Sequence, residues 1–186
     1  MKITGGKYKS ITLFSVNNRR VRHTTSKTKL AIFSILDKDV ENANVLELFC
    51  GSGAFSAEAI SRGAFRATLV DIISEAIFTV KKNMAKINFS NFEVIRMDYR
   101  RALRYLNKKG QKFDIVFADP PYDAGYGQEI LVNIEKNSQL LKDTTTIILE
   151  LSINEFLFVP ETFIVETDRN FGDTRIVFLK RSKRVN

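Results

Sequence analysis

Apolar runs and amphipathic segments alternate along this chain from residue 45 onward, and this alternation limits the possible folds more than any other feature. Short apolar runs predict strands at 45–49, 66–71, 92–97, 113–118 and 145–151, and helical periodicity predicts helices at 54–62, 74–87, 100–109 and 128–140. Strands that alternate with helices are typical of βαβ units, whose right-handed crossovers make the strands parallel. We therefore expect an α/β fold with a doubly wound, mostly parallel sheet.

The last segment of the chain departs from this alternation. Strands are predicted at Thr162–Glu166 and Arg175–Leu179, and the residues from Asp168 to Asp173 form their connection. A parallel crossover needs a dozen or more residues, so these two strands should form a hairpin in which the final strand runs antiparallel. We expect seven strands in total, with a terminal antiparallel strand.

Positive charge is concentrated at the two ends of the chain. The 186 residues carry a formal charge of +8, from 29 basic and 21 acidic side chains. Residues 1–30 contain no acid but eight basic side chains, and four more lie near the carboxyl terminus: Lys2, Lys7, Lys9, Arg19, Arg20, Arg22, Lys27, Lys29, Lys180, Arg181, Lys183 and Arg184. This split predicts polyanion-binding segments attached to a near-neutral body.

The amino-terminal segment is predicted to form an arm that precedes the main domain. Gly5-Gly6 and the alternation from Lys7 to Phe14 are typical of a short extended arm or hairpin. We assign residues 1–22 to this basic arm and residues 23–186 to the main domain. A helix should begin after the capping residues 24–26, with Leu30, Phe33, Ile35 and Leu36 on its apolar face.

Cysteine usage and hydropathy exclude several classes of protein. Cys50 is the single cysteine, so an internal disulfide and a cysteine-rich zinc site are both impossible, and we interpret it as a small apolar residue. The sequence begins without an apolar signal core, and no stretch approaches eighteen apolar residues. We expect a cytoplasmic protein with no membrane contact and no metal.

The most informative motif is Asp119-Pro120-Pro121-Tyr122, which follows the predicted strand 113–118 directly. It therefore occupies a loop at the carboxyl edge of the sheet, where α/β enzymes bind their ligands. Prolines have no backbone N–H, so the Asp119 carboxylate and a proline-loop carbonyl can accept both N–H bonds of an exocyclic amine on a nucleobase, while Tyr122 stacks on the ring. We predict Asp119, Pro120, Pro121 and Tyr122 as the catalytic group.

A second group of residues predicts an adenosine site at the same edge. Gly51-Ser52-Gly53 lies between the first strand and its helix, where glycines let backbone amides approach a ligand. Ser56 stands where a dinucleotide-binding fingerprint has a third glycine or an alanine, which disfavours a pyrophosphate ligand. Asp71 ends the second strand and is placed to accept ribose hydroxyls, and Asp98 ends the third strand and can accept the adenine amine.

Taken in order along the chain, several motifs resemble those of the bacterial small-subunit (16S) ribosomal RNA guanine-N2 methyltransferases. The matching segments cover nearly the whole sequence and are Ile3–Tyr8, Arg22–Lys27, Leu48–Ala54, Glu58-Ala59, Ser61–Ala64, Asp119–Tyr122 and Phe171–Thr174. The chain differs from the family pattern at His23, where a proline is usual, and at Leu30, where an acid is usual. Both positions lie in the segment that is expected to cover the active site.

The resemblance implies a Rossmann-like class I methyltransferase that uses S-adenosylmethionine and releases S-adenosylhomocysteine. It implies that the Asp-Pro-Pro-Tyr loop holds the target guanine, and that Gly51, Gly53, Asp71 and Asp98 hold the cofactor. We add the adjoining Glu47, Phe49 and Tyr99 to this predicted cofactor site. The expected partner is 16S ribosomal RNA or an assembling small ribosomal subunit, without an obligatory protein partner.

Three alternative functions remain open at this point. An adenine-N6 methyltransferase of DNA or RNA uses a similar loop, although the DNA enzymes usually carry a target-recognition region for which this chain has no room. A protein-glutamine methyltransferase also resembles the loop, usually with Asn at the position of Asp119. A non-catalytic RNA-binding assembly factor is the third, and the intact carboxylates and glycines count against it.

Overall fold

The computed structural model describes residues 1–16, 26–121 and 125–182. Seven strands form one sheet in the order β3-β2-β1-β4-β5-β7-β6, with bounds β1 Asn44–Leu48, β2 Arg66–Asp71, β3 Phe92–Arg96, β4 Phe113–Ala118, β5 Leu141–Ser152, β6 Phe163–Phe171 and β7 Thr174–Arg181. The helices are α1 Ser26–Leu36, α2 Ala54–Ser61, α3 Ser74–Lys86, α4 Tyr99–Lys108 and α5 Tyr126–Lys136. Short 3₁₀ turns follow α1 and α5.

Strand directions confirm the predicted α/β sheet. Strand β1 pairs in parallel with both β2 and β4, while β7 is antiparallel to both of its neighbours. The chain leaves β1 toward β2 on one side and returns to β4 on the other. This reversal opens a crevice between the carboxyl ends of β1 and β4, which is where doubly wound sheets bind ligands.

Apolar side chains cover both faces of the parallel sheet. Alternate residues of each strand point to opposite faces, so Leu46 packs with α4 and α5 on one side while its neighbour Val45 packs with α1 and α2 on the other. A third cluster joins α2 and α3 to Ile3 and Leu13 of the amino-terminal arm. The sheet is therefore buried on both faces, which explains why its strands form nearly continuous apolar runs.

The predicted hairpin is present, but its strands are longer than expected. Strand β6 continues to Phe171 and β7 begins at Thr174, so the connection contains only residues 172 and 173. Within the strands, Asp168 lies opposite Val177, and its carboxylate pairs with Arg175 at 2.7 Å. Most of β6 is exposed at the edge of the sheet. Its second half, residues 167–171, therefore carries mainly polar side chains, and the apolar pattern did not identify this half as part of the strand.

Helix α1 is present, but its apolar face was wrongly predicted at one position. Leu30 is 46% exposed, whereas Lys29 is fully buried beside Ile32 and Phe33. Lys29 therefore cannot serve as one of the polyanion-binding charges that the sequence predicted. Lys180 and Arg181 also differ from the expected tail, because they lie in β7 and pair with acidic side chains.

A buried carboxylate on α2 holds the arm against the main domain. Glu58 accepts hydrogen bonds from the Thr4 N–H at 2.7 Å, from the Thr4 hydroxyl at 2.8 Å and from the Gly5 N–H at 2.8 Å. It also pairs with Lys29 Nζ at 3.3 Å and with Arg62 Nε at 2.9 Å. Five donors thus converge on one side chain, as a buried charge requires.

Residues 1–16 of the arm fold back on themselves as a hairpin, one of the two forms that the sequence predicted. Lys2 and Thr12 form an antiparallel bridge, and the Ile3 N–H donates to the Ile11 carbonyl at 3.0 Å. The Lys7 N–H donates to the Ser61 carbonyl at the end of α2. A boundary at residue 22 stays a prediction, because residues 17–25 lie outside the described residues.

The pKa values of Lys29 and Glu58 are both shifted from their usual values. Burial lowers the pKa of Lys29 below its usual value, although the Glu58 charge opposes this. For Glu58, burial would raise the pKa, but the hydrogen bonds from Thr4 and the positive charges of Lys29 and Arg62 hold the pKa below its usual value. The Glu58 charge thus favours the ionised form of Lys29, while Thr4, Lys29 and Arg62 together favour the ionised form of Glu58.

We expect Lys29→Met to lower the free energy of unfolding by about 3 kcal/mol, the lower end for breaking a buried ion pair, because Arg62 still neutralises Glu58. Chemical denaturation at pH 7 measures this change. The matched control is Lys27→Met, which alters an exposed lysine two residues earlier and should change stability by less than about 0.5 kcal/mol. Equal stability of the two variants would contradict the structural role of Lys29.

Candidate active site

Sheet register brings the predicted site residues into one row. Leu48 of β1 lies opposite both Val70 of β2 and Ala118 of β4. The next residue on each strand is Phe49, Asp71 and Asp119, respectively. These three residues therefore follow one another along the carboxyl edge of the sheet, with Asp119 on the β4 side of Phe49 and Asp71 on the β2 side.

The turn after β1 has an unusual backbone. Phe49, Gly51 and Gly53 have φ angles of 55°, 51° and 71°, which place all three in the left-handed region. A Cβ on Gly53 would lie 2.9 Å from Leu69 Cδ2, so glycine is required there by packing as well as by conformation. Phe49 adopts the left-handed region despite its side chain, and such strain occurs mainly at functional sites.

The glycine amides donate within the protein, and the predicted approach of a ligand to this turn stays a prediction. Both were expected to approach a ligand, but the Gly51 N–H donates to Asp71 Oδ2 at 2.8 Å and the Gly53 N–H donates to the Cys50 carbonyl at 2.7 Å. These donors stabilise the turn itself. The contribution of the glycines is therefore the shape of the turn, which brings the end of β1 close to Asp71.

Asp71 links the turn to the start of α3. It is 8% exposed, and its carboxylate accepts hydrogen bonds from Gly51 and, at 2.9 Å, from the Ile73 N–H. A carboxylate offers about four lone-pair sites, so two backbone donors leave it capacity for further hydrogen bonds. The predicted role toward ribose hydroxyls is compatible with this geometry and stays a prediction.

Asp98 caps helix α4. Its carboxylate accepts from the backbone N–H of Arg100 at 3.0 Å and pairs with the Arg100 guanidinium at 3.0 Å. The same guanidinium makes a bidentate contact with Glu129 in the first turn of α5 and lies 4.7 Å from the centroid of the Tyr99 ring. Arg100 thereby joins the starts of two helices beside the site. The predicted contact of Asp98 with adenine is not tested by this geometry.

An aromatic cluster stands between these elements. The ring centroid of Phe49 lies 5.0 Å from that of Tyr99 and 6.2 Å from that of Tyr126, and the two tyrosine rings meet edge to face at 6.5 Å. The structure thus brings Phe49 and Tyr99 together, as their joint assignment to one site requires. Tyr126 was not predicted as a site residue. The one feature of the sequence that could have indicated it is its position a few residues after Asp119.

Glu47 is buried beneath the turn. Its carboxylate accepts from the Ser56 N–H at 2.9 Å and is 3% exposed. Burial raises the pKa of Glu47 to about 7, and the hydrogen bond from Ser56 only partly offsets this effect. The predicted contact of Glu47 with a cofactor stays a prediction.

Cys50 packs in the apolar cluster under α2 and α3, as its interpretation as a small apolar residue requires. Burial, together with the nearby Glu47 and Asp71 carboxylates, raises the pKa of its thiol, so the reactive thiolate is disfavoured. Across the three described ranges of the chain, no cluster of at least three His, Cys, Asp or Glu side chains could hold a metal ion.

The Asp119 loop extends from the end of β4. Asp119 is half-buried, Pro120 is buried and Pro121 is exposed, whereas Tyr122 lies outside the described residues. Glu150 was not predicted, yet it follows Leu149, the partner of Ala118 on β5, and is only 4% exposed. A lone carboxylate inside the apolar run 147–151 was the signal that could have identified it.

Comparisons with known proteins agree with this arrangement. The family described as conserved hypothetical protein 95 matches residues 1–180. This chain belongs to that family. A curated relative, ribosomal RNA small subunit methyltransferase D of Escherichia coli, is 30% identical over 173 residues, which span 92% of this chain and 85% of the relative. The same enzyme of Buchnera aphidicola from Acyrthosiphon pisum is 33% identical over 162 residues, covering 87% and 83%.

A solved structure supports the same assignment. The candidate methyltransferase yhhF of Escherichia coli superposes with a TM-score of 0.84 at 28% identity, covering 97% of each chain. These findings confirm the predicted Rossmann-like methyltransferase fold, the methyltransferase activity and the use of S-adenosylmethionine.

The described residues fit this cofactor. Asp71 lies at the carboxyl edge of the sheet beside Phe49, and a sulfonium cation is favoured near a negative charge. The rings of Phe49, Tyr99 and Tyr126 offer an apolar wall against which an adenine can pack. Asp71 has lone pairs for ribose hydroxyls.

We expect Asp71→Ala to weaken S-adenosylmethionine binding roughly 10- to 150-fold, as lost charge-assisted hydrogen bonds predict. Calorimetry measures the affinity. The matched control is Asp114→Ala, because Asp114 also accepts a backbone N–H, from Asn44, but lies at the opposite edge of the sheet. Equal affinity of both variants would mean that Asp71 only supports the turn.

The raised pKa of Glu47 predicts a pH-dependent stability. Between the ordinary pKa of 4.5 and about 7, the folded state binds a proton that the unfolded state releases. This contribution is therefore present below pH 4.5 and is lost as pH rises through 7, by about 3 kcal/mol. Glu47→Gln should remove it, so the stability of the variant relative to wild type should rise from pH 5 to pH 8. A constant difference in denaturation experiments would show that Glu47 is ionised throughout.

Proposed function

We propose that this protein transfers a methyl group from S-adenosylmethionine to the exocyclic N2 amine of a guanine in small-subunit (16S) ribosomal RNA. The observation that carries the proposal is the position of Asp119-Pro120-Pro121 next to Phe49, with Asp71 on the other side of Phe49, in a chain with relatives named ribosomal RNA small subunit methyltransferase D. An acceptor loop for an amine thus adjoins the predicted cofactor site. We place the reaction in the cytoplasm, on free 16S RNA or on the assembling small subunit, with no obligatory protein partner.

Methyl transfer to this amine requires mainly that the amine and the methyl group are correctly positioned. Guanine N2 is a weak nucleophile because its lone pair is conjugated with the ring. Acceptors for both N–H bonds, from the Asp119 carboxylate and a proline-loop carbonyl, favour a pyramidal nitrogen whose lone pair faces the methyl carbon. The bound cofactor supplies that carbon on a sulfonium sulfur.

Transfer would form the N–C bond and break the C–S bond of the cofactor, whose electron pair would stay on sulfur. The positive charge would pass to the amine, which would then lose a proton to water or to the Asp119 carboxylate. Stacking of the guanine on Tyr122, which lies outside the described residues, is part of the proposal.

The acceptor pattern of this loop also fits adenine N6. The names of the relatives favour ribosomal RNA as the substrate, and this adenine activity is the second candidate. Tritium transfer to 16S RNA, small subunits, DNA and a release factor separates the substrate classes. Mass spectrometry of the digested RNA then separates N2-methylguanosine, which we expect, from N6-methyladenosine, which would refute the guanine assignment.

We predict that Asp119→Ala abolishes methyl transfer while cofactor affinity changes by no more than about three-fold, since the target amine is its expected partner. Single-turnover kinetics and calorimetry measure the two quantities. Asp143→Ala is the control, because Asp143 is almost fully exposed and should leave both unchanged. Loss of cofactor binding together with activity would assign Asp119 to the scaffold.

A further inference from the structure

Two exposed phenylalanines and two lysines form a surface on α3 and the arm, here termed the Phe–Lys patch: Phe14, Phe78, Lys82 and Lys86. Phe78 is 60% exposed and Phe14 is 47% exposed. Lys82 Nζ lies 4.7 Å from the Phe78 centroid and 5.4 Å from the Phe14 centroid, and Lys86 Nζ lies 4.6 Å from the Phe14 centroid. Positions 78, 82 and 86 share one helical face, so the patch is continuous.

The patch is fixed to the candidate active site by Asn83. This side chain is fully buried, accepts from the Phe14 N–H at 2.8 Å and donates to the Phe14 carbonyl at 3.0 Å. It also donates to the Ser52 carbonyl, within the glycine turn, at 2.8 Å. One amide therefore positions both the arm and the turn, and Phe78 lies in the second turn of the helix that begins just after Asp71.

We propose that the Phe–Lys patch binds an unpaired segment of the RNA substrate, with bases stacked on Phe78 and Phe14 and a phosphate on Lys82. This inference rests on the proposed function and extends it to how the substrate is held. Aromatic side chains interleaved with positive charge are the combination that binds single-stranded nucleic acid. Glu75 is the acidic side chain on this face, one turn before Phe78.

Lysine content argues against a protein partner on this surface. Protein interfaces are depleted of lysine at their centres, because an ammonium group is costly to desolvate. Here Lys82 contacts both rings, so a protein that covered the rings would also bury its ammonium group. A phosphate backbone would instead neutralise that charge while the bases cover the rings.

The test compares RNA binding by Phe78→Ala and Phe65→Ala. Both rings are about equally exposed, at 60% and 61%, but Phe65 precedes β2 at the opposite edge of the sheet. Fluorescence titrations with 16S RNA and with a short single-stranded oligouridylate should show affinity at least about fivefold weaker for Phe78→Ala, the low end for loss of one stacked base. Phe65→Ala should bind as wild type, and Phe78→Tyr should restore binding because it keeps the stacking ring.

A charge test is independent of the stacking test. Lys82→Gln should lower the slope of log affinity against log salt by about 0.7, the value for one phosphate contact on a single strand. Lys108→Gln, an exposed lysine at the far end of α4, is the matched control and should leave the slope unchanged. Melting temperature and cofactor affinity should match wild type in every variant.

Two results would overturn the inference. One is wild-type RNA affinity in both Phe78→Ala and Lys82→Gln, and the other is a change in self-association with unchanged RNA binding, which would assign the patch to a protein contact. Methyl transfer by the wild type is measured separately. If the wild type bound the oligouridylate through the patch but methylated no RNA, the proposed function would fail while the binding surface stood.

Discussion

Much of this structure depends on the buried carboxylate of Glu58. An isolated charge in the interior is strongly unfavourable, and Glu58 is tolerated because Thr4, Gly5, Lys29 and Arg62 all donate to it. These donors come from the arm, from α1 and from α2 itself. The arm is therefore tied to the main body, and its two apolar anchors Ile3 and Leu13 complete a core cluster with α2 and α3. Removing the arm would expose that core and leave Glu58 short of partners.

The candidate active site uses several residues for two purposes. Asp71 holds the turn after β1 through Gly51 while keeping lone pairs for a ligand, and Asp98 caps α4 while it pairs with the Arg100 guanidinium. Structural hydrogen bonds of this kind orient a carboxylate before a ligand arrives, which lowers the cost of ordering it on binding. The aromatic cluster of Phe49, Tyr99 and Tyr126 links the glycine turn to the start of α5, directly after the Asp119 loop. Phe49 thus contacts both the start of α4, through Tyr99, and the start of α5, through Tyr126.

Asn83 extends this coupling to the outer surface. Through a single amide, the glycine turn, helix α3 and the arm share one set of hydrogen bonds. The Phe–Lys patch is consequently held rigid next to the proposed methyl-transfer site, as an RNA segment that must present one base accurately would require. Among the described residues, the arm contributes its side chain Phe14 to this surface, whereas its exposed lysines at positions 2, 7 and 9 remain available for less specific phosphate contacts.

The sequence by itself determined the sheet class, the antiparallel last strand and the loops that hold the candidate chemistry, because apolar periodicity and strand order are local signals. The register places Phe49, Asp71 and Asp119 in one row at the carboxyl edge, and their functional roles stay predictions. Only the tertiary structure decided which charges are buried: Lys29 resembled a phosphate-binding residue until its pairing with Glu58, 29 positions away, became visible. The extension of β6 from Glu166 to Phe171, the burial of Glu150 and the contacts of Tyr126 and Asn83 were also not evident from the sequence. Their contacts join segments that are far apart in the sequence, and a local sequence pattern cannot predict such contacts.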